Sequence, residues 1–196
     1  MKTLFIDCCM KNGEESRTKV LCNRFFEALK EEHPDYEVET LVLKEEKDLK
    51  PYYFDNVNYR YAAVEKGDRT DPIFKWVNQF LEADKVVIGA PYWDMGFPSL
   101  LKIYIENIFV GGLTFKGSEK GLVGLAKAKE VLYIQTAGGA VAEDDAATAY
   151  LRTVFTTLGA EKLERIGADK IDVVGVDFDG IMAEAVERLQ KKAKEW

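Results

Sequence analysis

Apolar positions along the chain follow two rhythms: short β-branched runs, and longer stretches in which they recur every three or four residues. Thr3-Leu4-Phe5-Ile6-Asp7 reads as a first strand. A polar turn, Lys11-Asn12-Gly13-Glu14-Glu15, leads to a helix opened by Ser16, striped by Val20, Leu21, Phe25 and Leu29, and stopped at His33-Pro34. The alternation from Tyr36 to Leu43 predicts a second strand, half exposed as on a sheet edge. Strand, helix and strand in that order imply a right-handed parallel unit.

Lys44 to Thr70 is a long connection of mixed charge in which Tyr52, Tyr53, Phe54, Tyr59 and Tyr61 cluster, with a short helix expected near Asn56 to Glu65. Two roles are open for these aromatics, a lid over a site or a dimer contact. Asp71-Pro72 then caps a helix carrying Ile73, Trp76, Val77, Phe80 and Leu81, and Lys85-Val86-Val87-Ile88-Gly89 is a strand of the kind buried on both faces. After the loop Ala90 to Ser99, a helix runs to about Val110, and Gly111 to Gly121 is a glycine-rich excursion. Val131 to Gln135 makes a fourth strand, about Asp144 to Leu158 a helix, Leu163 to Ile166 a fifth strand, Gly167 to Asp179 an irregular passage and Ile181 to Lys194 a final amphipathic helix.

Five strands with intervening helices predict one domain, residues 1–196, an α/β fold with a doubly wound five-stranded parallel sheet of order 2-1-3-4-5. That order makes strands one, three and four neighbours, so the loops after them, Cys8 to Glu15, Pro91 to Phe97 and Thr136 to Ala140, converge on one crevice. Two readings are open for Trp93 and Phe97 in the middle loop. They fold onto the sheet edge or a subunit interface, or they flank a planar cofactor. The convergence of the three loops favours the cofactor.

Composition narrows the ligand. A net charge of −7 sets the chain against nucleic acid and anionic membrane surfaces, which would repel it at long range. The beginning of the chain has no signal-peptide character and no apolar run approaches the roughly 18–20 residues of a membrane span, so a cytoplasmic protein is expected. Cys8, Cys9 and Cys22 lack zinc or iron–sulfur spacing and read as buried free thiols, and no metal site is expected. His33, at a helix end before Pro34, reads as solvated or capping, and no residue stands out as a catalytic acid or base.

Ser16-Arg17-Thr18 begins the first helix, where free N–H groups, the helix dipole, two hydroxyls and a guanidinium together suit a phosphate, although Ser16 is equally an ordinary N-cap. Neither a GxGxxG fingerprint nor a P-loop is present, which favours a mononucleotide over a dinucleotide held by its pyrophosphate.

The run Ala90-Pro91-Tyr92-Trp93-Asp94-Met95-Gly96-Phe97-Pro98-Ser99-Leu100-Leu101-Lys102 resembles the A-P-M-Y-N-F-x-x-P-x-x-L-K signature of the FMN-dependent NADH:quinone oxidoreductases, or azoreductases, of the flavodoxin-like fold. Gly111-Gly112-Leu113-Thr114-Phe115 and Gly121-Leu122-Val123-Gly124-Leu125 are similar to that family's G-x-T-F and G-x-x-G-L segments, and Thr136-Ala137-Gly138-Gly139 falls where it has a hydroxyl residue and paired glycines. The resemblance implies FMN, its phosphate at Cys9, Ser16, Arg17 and Thr18 and its isoalloxazine at Pro91, Tyr92, Trp93, Asp94, Met95 and at Thr136, Ala137, Gly138, Gly139. It also implies a homodimer that oxidises NADH or NADPH and reduces a quinone, azo or nitroaromatic acceptor. Cys9 stands where the family has a serine, Asp94 where it has Asn, and Gly117 where relatives carry an aromatic near the substrate. A carboxylate at Asp94 is expected to lower the flavin's potential by like-charge repulsion. Two alternatives share the fold. An electron-transfer flavodoxin would be shorter and lack the Gly111 to Gly121 excursion, and a phosphoacceptor receiver needs acidic groups where this chain has Asp7-Cys8 and Ala90-Pro91.

Overall fold

The computed structural model describes residues 1–11, 15–143 and 145–196. Five strands form one parallel sheet: β1 (Lys2–Asp7), β2 (Glu37–Val42), β3 (Lys85–Gly89), β6 (Glu130–Thr136) and β7 (Lys162–Ala168), in the order β2-β1-β3-β6-β7. This is the expected 2-1-3-4-5 order, because β4 (Phe115–Ser118) and β5 (Gly121–Gly124) stand outside the sheet as an antiparallel pair. Five central positions show why the strands lie where they do. Leu4, Ile6, Val86, Val87 and Ile88 are fully buried, as both faces of a parallel sheet require.

Helices cover the two faces unequally. On one, α3 (Lys75–Glu82), α4 (Ser99–Ile108) and α5 (Ala146–Leu158) pack Trp76, Phe80, Leu101, Tyr104, Leu151 and Phe155 onto the strands. On the other, α1 (Arg17–Glu32) and α6 (Phe178–Lys194) bring Leu21, Phe25, Leu189 and Ala193, and the C-terminal Trp196 sets its indole edge-on to Phe25 at 5.5 Å. The tyrosine-rich connection contains α2 (Phe54–Lys66), which buries Ala63 and leaves Phe54, Tyr53 and Tyr61 exposed.

The glycine-rich excursion is the main departure from the sequence reading. Its four-residue strands hold three glycines, Gly117 in β4 and Gly121 and Gly124 in β5, and too few side chains to show a period. Close packing requires the glycine at Gly124: a Cβ there would stand 2.1 Å from the Gly159 nitrogen, so β5 lies directly on the backbone that ends α5. The final helix begins at Phe178, three residues before the expected Ile181, because Asp177 caps it by accepting from the Gly180 N–H at 2.9 Å. The expected turn residues Asn12, Gly13 and Glu14 and the expected helix start at Asp144 lie outside the described residues. Among the described residues, no helix is long and apolar enough to cross a membrane.

Candidate flavin site

The sheet order carries the C-terminal ends of β1, β3 and β6 to one edge, where a cleft of about 440 Å³ opens. Three of its walls are the first turn of α1 with Ser16, Arg17 and Thr18, the loop Pro91 to Trp93, and Thr136 with Gly138. Its volume falls in the range of small-molecule sites.

The α1 end of the cleft is built to meet an anion. Ser16 caps the helix by accepting from the Lys19 N–H at 3.3 Å, which leaves the first-turn N–H groups of Arg17 and Thr18 without intrahelical acceptors. The buried hydroxyls of Thr18 and Thr136 lie 2.7 Å apart, so α1 and the end of β6 meet through a polar contact at the cleft floor. Arg17 reaches sideways, pairing with Asp172 at 2.5 Å and lying over the Phe178 ring at 5.3 Å.

The second wall has its own device. Trp93 and Gly96 exchange two backbone hydrogen bonds, at 3.2 and 2.7 Å, around Asp94 and Met95 with φ of 50° and 60°. Paired positive φ values at the two central residues are the pattern of a type I′ reversal, which Asp tolerates and Met does not favour. Asp94 therefore keeps the conformational tolerance of the Asn it replaces. The Tyr92 N–H donates to the Thr136 carbonyl at 2.9 Å and locks this loop to the third wall. Burial, then the Asp145 carboxylate, pushes the Tyr92 phenol above its usual range.

Five of the sequence-predicted residues do not line the cleft. Cys9 is buried, its N–H donating to Asp7 Oδ1 at 3.0 Å and its thiol to the Gly89 carbonyl at 3.7 Å. Ala137 is buried, with its N–H on the Ala168 carbonyl at 2.9 Å. Asp94 and Met95 sit on the exposed side of their turn, and exposed Gly139 accepts from the Lys170 N–H at 2.9 Å. Met10, Lys11 and Glu15 line it from the expected Cys8 to Glu15 loop, and sequence reasoning missed Ile171 and Asp172. For the last two a signal existed in the topology: β7 neighbours β6, so the loop after it must end beside Gly138.

The residues present fit a flavin mononucleotide. Amides, three hydroxyls and a guanidinium suit its phosphate and ribityl chain, while Pro91, Tyr92 and Trp93 offer the flat apolar surface a ring system needs.

A family model described as flavodoxin-like fold matches residues 1–193. A protein of Caldicellulosiruptor saccharolyticus called FMN-dependent NADH:quinone oxidoreductase is 34% identical over 98% of each chain. The chain belongs to this family of flavodoxin-like oxidoreductases. Among solved structures, an azoreductase of Bacillus anthracis superposes with a TM-score of 0.90 at 27% identity over the full length of both chains. Another B. anthracis protein, an FMN-dependent NADH-azoreductase solved in complex with FMN, has a TM-score of 0.85 at 26% identity, covering 99% of this chain and 98% of its own.

Proposed function

We propose that this chain is an FMN-dependent NAD(P)H oxidoreductase that reduces quinones, azo compounds or nitroaromatics. The observation that carries the reading is the cleft itself: an anion-binding helix start and an aromatic loop face each other at the sheet's C-terminal edge, as in open α/β folds that bind nucleotides. Support also comes from the relatives, whose names specify FMN, NADH, quinone and azo substrates.

When bound, FMN supplies the hydride chemistry; the protein supplies position and surroundings. The first turn of α1, with Ser16, Arg17 and Thr18, would hold the phosphate, and Pro91 and Tyr92 would back one face of the ring, with Trp93 at its open border. Thr136 and Gly138 would border its polar edge. With one face against protein, nicotinamide and acceptor must use the same open surface, because hydride transfer needs reacting atoms within roughly 3–3.5 Å. They cannot occupy it together, so turnover is ping-pong. Initial rates with both substrates varied should give parallel double-reciprocal lines, and intersecting lines would refute the one-face arrangement. Trp93 is 42% exposed beside that surface, so Trp93→Ala is expected to change the acceptor KM more than FMN occupancy.

The exposed aromatics at the start of α2, Phe54 at 81% and the N-cap Tyr53 at 72%, together with Leu122 at 61% on the hairpin, support a homodimer with two equivalent sites. A monomeric mass by light scattering at micromolar concentration would contradict it. Three buried, unpaired thiols suit a reducing compartment, and we place the protein in the cytoplasm on that ground.

A further inference from the structure

We propose that Asp172 is a positioning residue that presents Arg17 to the phosphate of the flavin, an inference that rests on the FMN reading above. Arg17 opens α1, and its guanidinium is constrained from two sides: Asp172 Oδ1 accepts from one Nη at 2.5 Å, and the Phe178 ring lies beneath at 5.3 Å. Both charged residues line the same cleft as Ser16, Thr18 and Thr136. A guanidinium carries five N–H donors in a fixed plane, so one engaged nitrogen leaves others free to meet a second anion.

Asp172 is held independently of Arg17. Its N–H donates to the Gly138 carbonyl at 3.1 Å, and its neighbours Ile171 and Lys170 donate to Ala137 at 3.2 Å and Gly139 at 2.9 Å. The carboxylate also lies where Gly138 would carry a side chain, since a Cβ built there would be 2.6 Å from Asp172 Oδ2. A loop fixed to the ring end of the cleft thus reaches the phosphate end through one side chain. Without that tether, a half-exposed arginine would explore many rotamers, and ordering it would oppose FMN binding. The pair is neutral overall, so Arg17 acts through the direction of its hydrogen bonds more than through net charge.

The ion pair is solvent-exposed, with 43% and 61% of the two side chains accessible, so a modest effect is expected. The test is flavin fluorescence quenching by the flavin-stripped full chain, titrated with FMN and with riboflavin, which lacks the phosphate. Asp172→Ala should weaken FMN about fivefold and leave riboflavin unchanged. Asp172→Asn, which keeps an acceptor without the charge, should fall between. In an Arg17→Gln background the Asp172 substitution should have no further effect on FMN. Tighter FMN binding in Asp172→Ala would mean that the carboxylate competes with phosphate, and would overturn the proposal. Equal losses for FMN and riboflavin, or no change for FMN, would also overturn it. If the unmodified protein binds no FMN, the functional reading fails first and this inference with it; binding by the unmodified protein with insensitive variants removes the inference alone.

Discussion

Thr18 and Thr136 stand 118 residues apart in the chain, yet their buried hydroxyls meet at 2.7 Å where the first turn of α1 reaches the end of β6. Thr18→Val leaves the Thr136 hydroxyl buried without that partner, which costs about 1–3 kcal/mol. The double variant, Thr18→Val with Thr136→Val, removes both polar groups and should recover much of that loss. Denaturant unfolding of the two single variants and the double variant measures the coupling. FMN affinity, in contrast, should stay low in the double variant, because these hydroxyls belong to the cleft.

Gly138→Ala should act through Asp172. The new methyl would meet the Asp172 carboxylate, the movable end of an exposed side chain, so the fold should survive while the pair with Arg17 is displaced. A melting temperature within a few degrees of the unmodified protein, with FMN binding weakened more than riboflavin binding, is expected. A large loss of stability would show that the Gly138 loop cannot adjust.

Gly124→Ala lacks any such escape, because its neighbours are the backbone atoms of Leu158 and Gly159 at 2.1–2.4 Å. The hairpin cannot remain seated on the end of α5, and a loss of about 3 kcal/mol or more is expected. Limited proteolysis between β4 and β5 should accelerate in parallel with the fall in stability.

Lys192 on α6 is almost fully buried, pairing with Glu130 and, at 3.1 Å, with Glu164 on two neighbouring strands. For both carboxylates burial acts upward, but hydrogen bonds from Lys192 with Lys85 or Lys162 outweigh it and hold them below the ordinary value of 4.5. A carboxylate depressed in the folded state adds stability above its unfolded pKa, and that contribution is lost as pH falls through the folded value. Lys192→Met should therefore cost about 2–3 kcal/mol at pH 7, at the low end for a buried pair because Glu130 keeps Lys85. The gap between variant and unmodified protein should narrow below about pH 4.5. Chemical unfolding at pH 7, 5 and 4 measures both.

Much of this was legible in the sequence where a rule of periodicity or topology applied. The β-branched run Lys85 to Gly89 and the helix stripes located β3 and the helices, and the sheet order then brought Ser16, Pro91 and Thr136 to one crevice. What escaped depends on contacts between distant segments. The hairpin β4–β5 has no apolar period because it is shaped by a backbone approach at Gly124. Asp172 lies in an irregular passage with no local pattern, so its meeting with Arg17 is visible only in three dimensions.

An FMN site reduced by a nicotinamide nucleotide shows itself in the visible spectrum of the purified protein before and after anaerobic addition of NADH. Bands near about 375 and 450 nm that bleach on addition, with FMN recovered after acid release, are expected from the flavin chemistry. A colourless protein that takes up no added FMN, a spectrum unmoved by either NADH or NADPH, or recovery of FAD would contradict it.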